Sequence, residues 1–255
     1  MRDTHGGTWG ICLLFFLLFC CTSPVLGQGK EFSPGETLHY QVFTKGLPIG
    51  EQILRIRREN MFQARQVLEI EMSLRSYAAY ALFYSYEEEN LLYLDAQAFT
   101  PVYLKKAIKE KDRSWEEEYL FGAETVEKRV IVPGMPTRIT TYEAKHPLLE
   151  SLSLIYFLRN RPWREGQNQV YFLTSKGPQA IVYQHQGKER IRVFDDYQWA
   201  EVMHDPISRV KVWFSQTEPV YPLRIQVTAN LGVLTARLVK IDHCSGNLKI
   251  GSDRR

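Results

Sequence analysis

The chain has 255 residues, a formal net charge of +3 and a hydrophobic content of 44%. That content excludes a disordered chain, and so small a charge argues against the clustered basic face of a nucleic-acid binder. The length suits one large domain or two small ones.

The N-terminus carries Arg2 and then the apolar run Ile11 to Cys21 (ICLLFFLLFCC), which is short for a transmembrane helix and right for the hydrophobic core of a signal peptide. Thr22-Ser23-Pro24 and Val25-Leu26-Gly27 follow, which places cleavage after Gly27 and makes residues 1–27 a signal peptide. Two other readings stand beside this one. An uncleaved anchor would use Ile11 to Leu26 as a short span. Lipid modification fits poorly, because Phe19 precedes Cys20 and Cys20 precedes Cys21. Export implies a periplasmic or otherwise extracytoplasmic location. Of the four cysteines, only Cys244 lies beyond the leader, so the exported chain has no internal disulfide and Cys244 is expected to be a free thiol.

From Thr37 onward the chain reads as strand after strand. Leu38, Tyr40, Val42 and Thr44 fall on one face of Thr37–Thr44. Ile49–Arg57 follows. In Ala64–Leu74, Leu68, Ile70, Met72 and Leu74 alternate with Glu69, Glu71 and Ser73, the period-two pattern of a sheet with one dry and one wet face. Tyr77–Phe83 is Ala-rich and suits one or two helical turns. Strands are then predicted at 88–95, 101–110, 114–121 and 126–132. Leu148–Leu158 lacks alternation and has Pro147 before it, so it is predicted as a helix, with Arg159 near its end suiting the dipole. Further strands are predicted at 169–173, 180–185, 190–194, 209–214, 223–228 and 233–241. Gly- and Pro-containing turns separate them at 45–48, 132–136, 176–178 and 186–188. The expectation is a mainly β fold, a large antiparallel sheet curved into a barrel or half-barrel with one or two short helices. It occupies residues 28–245 as a single domain, and residues 246–255 form a polar C-terminal tail.

Motifs that carry chemistry are scarce. His39, His146, His185, His204 and His243 show no metal-ligand spacing, and the neighbours His243 and Cys244 would point to opposite faces of a strand. There is no nucleophile elbow and no phosphate loop. Ser151 and Ser153 lack an identifiable base, and so does Cys244. Glu87 with Glu89, and Glu116 with Glu118, share strand faces and are candidate carboxylate pairs, but solvated strand faces give the same pattern. No catalytic, metal, cofactor or ligand-binding residue is assigned, and no cofactor is expected. The more informative feature is the aromatic cluster Tyr77, Tyr80, Phe83, Tyr84 and Tyr86, which reads either as sheet core or as the lining of an apolar cavity.

Several segments together resemble a bacterial exported family known as domain of unknown function 3108. These are Phe32-Ser33-Pro34-Gly35-Glu36-Thr37-Leu38-His39-Tyr40 with Gly46 and Ile49-Gly50-Glu51. Leu152-Ser153 with Tyr156 and Leu158-Arg159 is a second, and Val212-Trp213-Phe214 with Tyr221-Pro222-Leu223-Arg224-Ile225 a third. Gly232–Leu238 is similar to the closing strand. The resemblance implies an envelope setting and a β-rich fold, and no activity. Arg159 and Arg224 are expected to bond carbonyls or carboxylates at a sheet end. Three functions follow as expectations. A carrier or binding module for an apolar or lipid-like ligand needs an apolar cavity. A structural or protein-interaction component of the envelope, with an envelope protein as partner, needs an exposed patch or an open edge. A hydrolase needs convergent polar groups in a cleft.

Overall fold

Alternating sequences of this kind form ladders, and the computed structural model contains fifteen strands in one sheet. It describes residues 32–144, 147–160, 167–174, 177–205, 210–229 and 232–243. The segments expected to be a signal peptide (1–27) and a polar tail (246–255), with His146 and Cys244, lie outside the described residues.

The first half contains β1 (Glu36–Thr44), β2 (Leu47–Phe62), β3 (Arg65–Ser76), the single-turn helix α1 (Ala78–Ala81), β4 (Tyr86–Asp95), β5 (Pro101–Glu110), β6 (Arg113–Phe121), β7 (Thr125–Ile131) and β8 (Arg138–Glu143). The second contains β9 (Leu148–Leu149), helix α2 (Ser151–Arg159), β10 (Gln167–Thr174), β11 (Gly177–Val193), β12 (Asp196–Asp205), β13 (Val210–Ser215), β14 (Pro222–Ala229) and β15 (Gly232–His243). The sheet runs from β8 back to β1, then β15 back to β9. Every ladder is antiparallel except that of β9 with β10.

Breaks in register in β1, β2, β4, β11 and β13 bend this sheet. The edge strand β8 comes round until the Tyr142 ring lies against Gly177 of β11. Among the described residues no ladder joins the two edges, β8 and β9, so the sheet is not closed. The inner face carries Leu38 and Tyr40 of β1, Leu54 and Ile56 of β2, Leu68 and Ile70 of β3, and Leu92 and Leu94 of β4, all buried. These are the apolar positions of the period-two pattern, and their removal from water is the main drive for the curl.

Three local expectations need correction. The predicted helix from Leu148 begins instead at Ser151, because Leu148 and Leu149 pair with Tyr171 and Phe172 of β10. Glu150 is the N-cap: its carboxylate accepts from the N–H groups of Leu152 and Ser153, and the Ser153 hydroxyl accepts from the Glu150 N–H. This capping box fixes the start of the helix more strongly than Pro147 does. The predicted turn at 186–188 is a bulge inside the single long strand β11, with Gly187 at φ +78°. Only glycine takes that angle freely, so the ladder kinks there without ending. The turn at 45–48 narrows to Lys45-Gly46, with Leu47 and Pro48 already in β2.

Because neighbouring strands are antiparallel, their connections alternate between two ends of the barrel. At one end lie the connections at 63–64, 96–100, 122–124, 194–195 and 216–221. At the other lie those at 45–46, 77–85, 111–112 and 132–137. Helix α2 ends at the first, where Arg159 meets Glu36 and the carbonyl of Val220. The first end is thus plugged by α2, while the second, the mouth, carries the single turn α1 among its described residues.

Candidate functional site

The plug rests on one buried ion pair. Arg159 donates from both terminal nitrogens to the two Glu36 oxygens, at 2.7 and 2.9 Å, and from Nε to the Val220 carbonyl at 2.7 Å. Its side chain is 0% exposed and that of Glu36 is 2% exposed, so the guanidinium must find its partners inside the protein. It also lies over the rings of Phe32, Tyr156 and Tyr221. Burial alone would lower the Arg159 pKa, and the bonds to Glu36 outweigh it and raise it, so the group stays charged. Beside the pair, the Tyr40 hydroxyl donates to the Pro222 carbonyl at 2.8 Å. The sequence segments around Phe32–Tyr40, Tyr156–Arg159 and Tyr221–Pro222 therefore converge on one point. Arg159 binds both a carbonyl and a carboxylate at a sheet end, as expected. Arg224 instead lies over the Trp213 ring.

Deeper along the inner face a row of polar side chains crosses β4 to β7. Lys106 of β5 lies opposite Asn90 of β4 and Glu117 of β6, and its ammonium is 3.9 Å from the Glu150 cap. The Asn90 amide donates to Glu88, as does the Tyr86 hydroxyl. Glu117 accepts from the Tyr119 hydroxyl at 2.5 Å and pairs with Lys128 at 3.1 Å. Burial pushes the Glu117 carboxyl up, but these hydrogen bonds outweigh it and hold it below its ordinary value. A carboxylate so held stays ionised at neutral pH and is a poor general acid.

The acidic triplets divide accordingly. Glu88 and Glu117 face inward. Glu89 and Glu116 face outward in one row with Ala107 between them, and Lys105 pairs with Glu116 at 2.8 Å and Glu118 at 3.9 Å. The histidines are scattered: His39 bonds Asp242, His185 bonds Glu201, His204 bonds Gln186 and His243 bonds Tyr221. Among the described residues, no group of three His, Cys, Asp or Glu side chains is placed to hold a metal ion. Ser153 belongs to the helix cap, and the Ser151 hydroxyl donates to Glu150.

The open mouth holds a cavity of about 310 Å³ lined by Val42, Ile49, Leu74, Leu234 and the rings of Tyr80, Tyr84 and Tyr86. This lies at the lower end of the ~300–1,000 Å³ typical of small-molecule sites. Helix α1 hangs beside it, tied by the Tyr77 N–H to the Ile49 carbonyl. Gly50 forms part of the wall, where a Cβ would stand 2.5 Å from the Arg75 carbonyl oxygen, so the close approach of β2 and β3 requires glycine. The Tyr84 hydroxyl is bonded to Glu110 and that of Tyr86 to Glu88, and the two rings are stacked beside the space they line. The bond to Glu110 is the largest influence on the Tyr84 phenol and, with burial, raises its pKa to about 12, so it remains neutral. Of the predicted aromatic cluster, Tyr80, Tyr84 and Tyr86 thus come together here. Tyr77 bonds Gln41, and Phe83 is 83% exposed.

An open β-barrel with one end plugged by a helix and the other leading to a small apolar cavity is the class of protein these features define. The chain belongs to the family described as Protein of unknown function (DUF3108), whose model matches residues 37–239. No curated protein matches it. Among solved structures it is similar to a beta-barrel-like protein of domain of unknown function DUF1849 from Brucella abortus. The TM-score is 0.50 at 9% identity, over 82% of this chain and 98% of that one. That likeness concerns the fold alone.

Proposed function

We propose that the chain is an exported cell-envelope binding module that holds an apolar or lipid-like ligand at the open mouth of its barrel. The observation that carries this reading is the mouth cavity, with its aliphatic wall and with the Tyr84 and Tyr86 phenols held neutral by burial and their carboxylate partners. Its size suits one short acyl chain or a ring system, and helix α1 contributes Tyr80 to its wall. Leu74→Trp fills the space from β3. The experiment is titration with a fluorescent fatty-acid probe in buffer. The protein should bind it saturably, and L74W should weaken binding at least tenfold with its circular dichroism unchanged. A protein that takes up no probe contradicts the proposal.

A second reading, a protein-interaction component of the envelope, draws on the tip of the β11–β12 hairpin. There Arg190 stands opposite Trp199 and Arg192 opposite Tyr197, with Phe194 in the turn. Phe194, Tyr197 and Trp199 are 50%, 62% and 56% exposed, and such residues are typical anchors at interfaces. Y197S/W199S would abolish association with an envelope partner without affecting probe uptake.

A further inference from the structure

The open mouth differs from the plugged end in more than its cavity. At its rim stand Leu47, the first residue of β2, and Leu82 and Phe83 in the connection after α1, 68%, 85% and 83% exposed and flanking the cavity, and Met135 in the connection after β7 is 66% exposed. None of these belongs to the cavity wall. The plugged end also exposes Met61 and the Phe194, Tyr197 and Trp199 side chains, so what sets the mouth apart is that its apolar tips ring the cavity, together with the charge beside them. The charge at the two ends is also opposite. The described connections and strand ends at the mouth carry exposed Lys45, Lys111, Arg113 and Arg138 against Asp112, with Glu110 occupied by Tyr84. Those at the plugged end carry exposed Glu124, Asp195, Asp196 and Glu218 against Arg65. Lys111 also lies over the Tyr84 ring, 5.6 Å from its centre, which places a cation directly at the cavity rim. Apolar tips interleaved with cations around an apolar opening are what a negatively charged bilayer accommodates: the tips enter the acyl boundary while the ammonium groups meet the headgroups.

We infer that the mouth docks on an anionic membrane surface, with Leu47, Leu82 and Phe83 inserted, so that the cavity loads and unloads directly from the bilayer. The acidic plugged end then points away, since it is repelled by the same surface. This rests on the binding reading of the cavity, but it concerns different residues and is separable from it.

The test is co-sedimentation of the purified protein with vesicles of phosphatidylglycerol and phosphatidylcholine, and with phosphatidylcholine vesicles alone. Anionic vesicles should bind more tightly, and the preference should shrink with salt. L47S/L82S/F83S should lower partitioning about tenfold or more. Each charge reversal in K45E/K111E should lower anionic binding by at least about fivefold. All five positions are exposed, so the variants should keep the native circular dichroism, and L47S/L82S/F83S and K45E, which leave the cavity wall untouched, should keep the wild-type uptake of probe in vesicle-free buffer. Equal binding by the triple variant, or no binding to either vesicle, overturns the inference. Rim-dependent self-association without vesicle binding would assign the surface to a second copy of the chain and overturn it too. Failure of the cavity reading is seen separately: no probe is taken up in vesicle-free buffer, while rim-dependent vesicle binding persists.

Discussion

Replacing Arg159 with methionine probes the plug most sharply. The guanidinium makes three hydrogen bonds to protein and has no exposed surface. Its loss leaves the Glu36 carboxylate, itself 2% exposed, without its counter-charge, and the Val220 carbonyl without its donor. Removing one partner of a buried pair costs about 3–5 kcal/mol, mostly because of the charge left behind. For a chain of this size that corresponds to a fall in Tm of roughly 6–20 °C. The assay is equilibrium unfolding in urea, followed by both circular dichroism and tryptophan fluorescence. R159K retains the charge but not the planar fork, so its loss should be intermediate. The double change E36Q/R159M removes both ends and should recover part of the loss, giving a coupling energy well above ~1 kcal/mol. If R159M unfolds within about 1 kcal/mol of the wild type, the ion pair does not secure the plug and the reasoning fails.

Two further outcomes follow from the same structure. Glu117 and Glu201 are both held below the ordinary carboxyl value of 4.5, because hydrogen bonds and neighbouring cations outweigh burial. The stability they contribute is therefore complete above that value and is lost as pH falls through their lower folded values. Acid titration of unfolding free energy should show this decline below pH 4.5, and E117Q should flatten it. Glu150→Ala removes the carboxylate that accepts from Leu152 and Ser153, and should cost about 0.5–2 kcal/mol by urea unfolding.

Much of the barrel is legible in the sequence because alternation directly reports which face is dry. Leu68, Ile70 and Met72 in β3 announce both the strand and the side that packs. Besides β9, which reads as the start of the helix, two strands do not announce themselves. β8 (RITTYE) is an edge strand with nearly every side chain in solvent, so no apolar alternation marks it. β12 (DYQWAEVMHD) mixes both faces, since Val202 and Met203 are buried side by side while Tyr197 and Trp199 stand exposed. The bulge at Gly187 looks like a turn because local sequence cannot tell a kink within a ladder from its end. The pairing of Glu36 with Arg159 spans 123 positions, and residue types alone do not show it. Its sequence trace was the acid that opens the first strand and the arginine that closes the helix. The cavity was visible only as a crowd of tyrosines. That three of them share one wall depends on how α1 folds back over β2, a tertiary fact.

The most direct test of the binding account is native mass spectrometry of the protein recovered from its native cells under mild conditions, with lipid analysis of the extract. The account predicts a bound apolar or lipid-like compound in reproducible, near-stoichiometric amount, displaced when Leu74 is replaced by tryptophan. A protein recovered empty that also fails to take up the fatty-acid probe would contradict it.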